Sequence, residues 1–168
     1  MKRNIIIVLC MAVIGAGVVF AADPAEGYWI SVDDKTGKVT AGWEIYLQGG
    51  KLFGKVLSTA DHPAGVKATA CKESYSGFPV AGKVNQMMVV GTPWIFGLSP
   101  DGPGQWKNGN VIDPTDGKMY KCRIIYHARD GNRYKTDTLE MRGEIGLGIG
   151  RSQYWRKATR EEAGGLHP

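Results

Sequence analysis

The chain has 168 residues, 43% of them hydrophobic and 22% charged, with a formal net charge of +5. This length suits one domain with a real core and excludes two comfortable ones. The charge is too small to name a partner, and the absence of a basic helix or an aromatic-basic ribbon motif argues against nucleic acid.

The N-terminus has the order of an export signal. Lys2 and Arg3 come first, an apolar run from Ile5 to Ile14 follows, and small residues lead to Ala21. A cut after Ala21 leaves Val19 and Ala21 at the two positions the peptidase recognises. The alternative is a membrane anchor, since Ile5 to Ala22 approaches the span of about 18 to 20 residues that a bilayer needs. Gly15 and Gly17 interrupt that run, however, and polar Asp23-Pro24 follows with no stop-transfer charge cluster. Lipidation at Cys10 would need a small residue before it, and Leu9 stands there. The expected organisation is a signal peptide over 1–21, a single domain over 22–157 and a flexible tail over 158–168, exported to a bacterial periplasm or beyond, with no membrane span after cleavage.

Cleavage removes Lys2, Arg3 and Cys10, so the net charge falls to +3 and Cys71 and Cys122 remain. In an oxidising compartment two such cysteines are expected to bridge. The loop closed would be about 50 residues long, worth on the order of 4 kcal/mol of chain entropy. A redox or metal-binding role lacks a Cys-x-x-Cys step and a cluster of histidines.

Along the mature chain, two-residue alternation punctuated by Gly, Asp and Pro predicts an all-β fold. The first strand is Gly27 to Val32, followed by the turn Asp33-Asp34-Lys35-Thr36-Gly37. Trp43, Ile45 and Leu47 share one face of the next strand, Gly49-Gly50 forms a hairpin, and Lys51 to Leu57 is the partner. The pattern lapses over Ser58–Phe78, which is expected to be a long loop tied down by Cys71 or, in part, a short lid helix. Val84–Val90 and Trp94–Leu98 have extended character, as does Val111-Ile112. Lys118–His127 is the clearest strand, with Tyr120, Cys122, Ile124 and Tyr126 on its apolar face. Asp130-Gly131-Asn132 suits a turn, Thr138–Glu144 a strand burying Leu139 and Met141, and Arg151–Arg156 the last strand after a glycine-rich link. Eight to ten short hairpin-connected strands in one small domain favour a closed up-and-down barrel, because closure removes exposed edges.

Gly27-Tyr28-Trp29 opens the first strand and Arg156 ends the last, so in a closed meander the guanidinium is placed to cover the Trp29 ring. This resembles the barrel-end closure of lipocalins and fatty-acid-binding proteins. A more specific resemblance covers most of the mature chain. Trp106 to Cys122, Leu139-Glu140-Met141-Arg142-Gly143 and Arg151-Ser152-Gln153-Tyr154-Trp155-Arg156 resemble the bacterial domain-of-unknown-function 2147 family. That family implies a secreted or periplasmic lipocalin-like barrel and no established activity. Lys107-Asn108-Gly109 after Trp106 departs from its more usual tryptophan-glycine-glycine step.

No motif commits to a reaction, a cofactor or a metal. Asp113 and Asp116 flank turn residues without calcium-loop spacing, and His62, His127 and His167 are far apart. No serine lies in a nucleophile elbow and no glycine loop precedes a helix. The leading expectation is a non-catalytic barrel that holds one small apolar or amphiphilic, lipid-like molecule, lined by Met87, Met88, Met141 and the aromatics. The alternative is an envelope interaction protein with a filled barrel. Its basic half, eleven Lys and Arg against six Asp and Glu from Lys118 onward, would meet an anionic envelope component.

Overall fold

The computed structural model describes residues 22–146 and 148–167. The expected signal peptide over 1–21 lies outside the described residues. Eight strands follow one another around a closed antiparallel barrel. They are β1 (Gly27–Val32), β2 (Val39–Gln48), β3 (Lys51–Thr59), β4 (Ile95–Gly102), β5 (Gln105–Ile112), β6 (Met119–His127), β7 (Thr138–Glu144) and β8 (Gly150–Ala158). Each pairs with its sequence neighbour, and β1 closes on β8 through Tyr28 opposite Ala158, Trp29 opposite Lys157 and Ile30 opposite Arg156. The expected all-β, lipocalin-like barrel is therefore the observed fold.

The two-residue side-chain period divides each strand between interior and surface. Trp29, Ile45, Leu52, Leu98, Cys122, Ile124, Leu139 and Trp155 pack in one interior core. Two glycines make room for it. A Cβ on Gly54 would stand 2.7 Å from Ile45 Cδ1, and one on Gly109 would stand 2.4 Å from Leu98 Cγ.

One barrel end is plugged by the segment that enters β1. Ala25 is fully buried there, and its carbonyl accepts the Trp29 indole N–H at 2.9 Å. Asp23 accepts from the Trp106 indole N–H and the Gly104 backbone N–H, both at 3.1 Å. The cation over Trp29 is Lys157, whose Nζ lies 4.3 Å from the ring centroid and donates to the Glu26 carbonyl at 2.8 Å. The expectation of Arg156 in that role is corrected by one residue. Interior positions on β8 are odd-numbered, so Arg156 points outward, 3.7 Å from Glu162.

The connection from β3 to β4 runs over residues 60–94, longer than expected, and holds only a short 3-10 turn at Val84–Gln86 and no lid helix. Ala68, Cys71, Tyr75, Val89 and Trp94 from it form a second core with Ala41, Val56, Phe96 and Ile112 of the barrel. The connection is thus a packed wall, pinned by the Tyr75 hydroxyl donating to the Gly117 carbonyl at 2.6 Å.

The expected Cys71–Cys122 bridge does not form; both are buried free thiols. Cys122 faces the interior core opposite Gly109 and Gly143, whereas Cys71 packs in the second core against Gly117. Burial pushes both thiols above their ordinary pKa, so neither is primed as a nucleophile.

The expected flexible tail is also corrected, because α1 (Arg160–Gly164) docks on the barrel exterior. Thr159 caps it reciprocally with Glu162, Ala163 is fully buried, and the Ser58 hydroxyl donates to the Ala163 carbonyl at 2.6 Å.

Candidate functional site

The end opposite the plug is not filled. A cavity of about 730 Å³ opens among the turns after β1, β3 and β5 and the start of β8. The opening lies above a packed interior core and is of the size that one small ligand takes.

Its floor is aromatic. Trp43 on β2 and Trp155 on β8 stack with centroids 4.9 Å apart and planes 23° from parallel. Tyr120 on β6 and Met141 on β7 complete the apolar lower part, and Ala41, Val56 and Val111 add aliphatic walls. All sit at interior positions of their strands, so the same alternation that builds the core aims them at one space.

The indole N–H groups of the floor are already satisfied. Trp43 donates to Ser31 Oγ at 3.1 Å and Trp155 to Gln153 Oε1 at 3.1 Å. Ser31 itself donates to the Ala41 carbonyl at 3.1 Å and lies 2.7 Å from Thr40 Oγ1. What the floor offers a guest is therefore ring face and methyl surface. Tyr120 is kept a neutral phenol, its pKa raised by burial and then by the Asp116 carboxylate.

The rim is polar and charged. Arg151 Nε donates to Asp34 Oδ2 at 2.7 Å and its Nη2 lies 3.5 Å from Asp33 Oδ2, which ties the β1–β2 turn to β8. Asp61, His62, Lys67 and Asp113 stand around the rest of the opening. Asp113 is engaged as a turn former, accepting from Thr115 N–H and Oγ1–H at 2.9 and 2.6 Å.

Of the expected lining residues, Met141 lines the cavity, but Met87 and Met88 do not. Both belong to the connection, where Met88 is exposed and bridges Lys67. The expected aromatic lining is supplied by Trp43, Tyr120 and Trp155, and Gln153 is a lining residue that sequence reasoning does not name, although the inward parity of β8 carries the signal for it.

A second polar cluster lies on the outer wall. Glu140 accepts from the Ser152 hydroxyl at 2.6 Å and is 3.0 Å from His127 Nε2, whose ring stacks on Tyr134 at 4.4 Å. The carboxylate stands between serine and histidine, whereas a nucleophile triad needs the imidazole in the middle. Among the described residues no three His, Cys, Asp or Glu side chains gather as a metal-binding set.

The family model described as an uncharacterized protein conserved in bacteria, DUF2147, matches residues 27–157. The chain belongs to that family. The matched region is the DUF2147 barrel from the first residue of β1 to within one residue of the end of β8. No curated protein matches the chain. Among solved structures, it is similar to protein HP1028 from Helicobacter pylori, described as belonging to the lipocalin family, with a TM-score of 0.63 and 18% identity over 84% of this chain and 88% of that one. At that identity the likeness speaks for the fold alone, so DUF2147 and lipocalins share an architecture here.

Proposed function

We propose that this protein is an exported, non-catalytic binding barrel that holds one small apolar or amphiphilic molecule in the cavity above Trp43 and Trp155. The observation that carries the reading is the combination of an open cavity of about 730 Å³ with an aromatic floor whose indole N–H groups are satisfied internally. Such a floor rewards apolar contact and gives nothing to a polar group buried against it. The polar rim then suits the water-facing end of the same guest. Export is supported by the order of Lys2-Arg3, the apolar run and Ala21.

Titration with N-phenyl-1-naphthylamine, an apolar fluorophore, tests the reading. One saturable site per chain is expected, with displacement by a medium-chain fatty acid or alcohol. Native mass spectrometry of protein taken from its own host without refolding should show a co-purifying small molecule of that chemistry. Absence of saturable binding, together with an empty mass spectrum, would sink the proposal. Intact mass lacking residues 1–21 is the expected signature of export.

A further inference from the structure

The cavity mouth is rich in acceptors and poor in donors. Asp33, Asp61 and Asp113 line it, and Asp34 stands beside Asp33 in the turn after β1. Against these four carboxylates the mouth has two cations, Lys67 and Arg151. Arg151 is shared between Asp33 and Asp34, so that group keeps one negative charge. Lys67 donates to Gln86 Oε1 at 3.1 Å. Among the described residues no cation lies within ion-pair distance of Asp61 or Asp113. Asp113 receives uncharged donors alone, from Thr115.

The hydroxyl donors around this space are spent on the protein itself. Ser31 donates to the Ala41 carbonyl, Thr40 to the Ser31 carbonyl at 3.2 Å, and Thr59 to the His62 carbonyl at 2.6 Å. The Tyr120 hydroxyl donates to Asp116 Oδ2 at 3.4 Å. With both indole N–H groups of the floor satisfied as well, the protein turns aromatic surface, methyl groups and carboxylate oxygens toward a guest. An anionic head placed here would meet like charge and find few donors in exchange for its lost water. A cationic head would meet unpaired carboxylates, whose field the walls of a cleft concentrate.

We infer that the guest is a cationic amphiphile, an alkyl chain ending in an amine or quaternary ammonium, with the chain against Trp43 and the charged end at Asp61 and Asp113. The inference rests on the binding reading of the same cavity and adds the sign of the guest's charge. The aromatic floor is compatible with that sign, because ring faces attract cations. The chain as a whole carries +5 and would by itself favour an anion, so the preference is a property of the mouth.

The test displaces N-phenyl-1-naphthylamine from the native protein with decyltrimethylammonium, decanol and decanoate, which share a chain length and differ in charge. At low salt the cation is expected to act at about tenfold lower concentration than decanoate, with decanol between them. Sodium chloride at about 0.5 M should narrow that gap, because screening reaches an exposed mouth. The Asp61→Asn, Asp113→Asn double variant should cut the cation-over-decanoate preference to about threefold. Asparagine at 113 keeps the acceptor that the Thr115 turn uses, and Asp61→Asn alone should show a smaller fall in the same direction. Asp101→Asn removes the same charge at the end of β4 beside the plug and should leave the preference unchanged. Decanoate displacing as well as the cation overturns the inference. So does a preference that the mouth variants leave intact, or that Asp101→Asn reduces equally. Displacement by decanol with no charge preference removes this inference and leaves the binding reading standing. If naphthylamine itself does not bind, the binding reading fails and this inference fails with it.

Discussion

Trp43 and Trp155, on strands that do not neighbour each other, stack at 4.9 Å across the barrel and make the floor of the cavity. Only β1 separates their strands, and its interior Ser31 takes the Trp43 N–H from the side, so that N–H is satisfied without a guest. The pair closes the cavity from the interior core below, and in the proposed binding reading Trp43 supplies a guest's main apolar contact.

Replacing Trp43 by Ala should therefore have two effects. Stability falls by about 3 kcal/mol, from lost burial and stacking, and naphthylamine affinity falls by about tenfold, equivalent to 1.4 kcal/mol. Trp43→Phe keeps a ring at the site and should recover most of the affinity. Urea unfolding and fluorescence titration separate the two effects. Unchanged affinity in Trp43→Ala, with the fold intact, would place the guest elsewhere.

The free thiols lead to an equally direct expectation. A Cys71–Cys122 bridge would contribute about 4 kcal/mol, which reductant would remove. With Cys71 and Cys122 in separate cores, reductant should leave the melting temperature unchanged. A thiol reagent should label both cysteines only after unfolding, because each is buried. A melting temperature that drops several degrees on reduction would restore the bridge.

Gly42 tests the docking of α1. A Cβ there would stand 1.8 Å from the Ala163 carbonyl oxygen, a backbone atom with no room to yield. Gly42→Ala should displace α1, breaking the Ser58 to Ala163 hydrogen bond and uncovering Ile30, at a cost of about 1–3 kcal/mol. Limited proteolysis should then remove the C-terminal residues from an otherwise folded barrel, while the native chain resists cleavage there.

Much of the barrel was legible in the sequence because alternation survives where one face is core. β1 and β7 match their expected bounds, Gly49-Gly50 turns the chain as expected, and Tyr120, Cys122, Ile124 and Tyr126 share the inward face of β6. β5 was legible only at Val111-Ile112. Its Lys107-Asn108-Gly109-Asn110 stretch carries no apolar alternation, Asn108 has φ of 60°, the register slips between Trp106 and Gly109, and Leu98 from β4 fills the space over Gly109. Lys157 was missed in favour of Arg156 because which of two adjacent cations faces inward depends on register, and residue type does not reveal that. The cysteine pairing failed for a related reason: chain arithmetic counts thiols, but only the path of residues 60–94 decides which core each one enters. The cavity followed the same rule, since Met87 and Met88 have the right chemistry but sit on the connection, and the lining came from interior strand positions.

The outer-wall cluster yields a pH dependence whose sign is determined. Burial alone would raise the Glu140 pKa, but the hydrogen bonds from Ser152 and His127 outweigh it and hold the carboxyl below its ordinary value of 4.5. A carboxyl depressed on folding adds stability that is fully present above the unfolded value and is lost as pH falls through the folded one. Glu140→Gln keeps the shape of the side chain and removes the charge, so it should destabilise the barrel by about 1–2 kcal/mol at neutral pH, the worth of a hydrogen bond to a charged group. The difference between native and variant should then shrink as pH is lowered from 4.5 through the lower value at which the native carboxylate takes up its proton. Urea midpoints measured from pH 7 to pH 3 check this. A gap that stays constant over that range would mean that Glu140 acts through packing and not through charge.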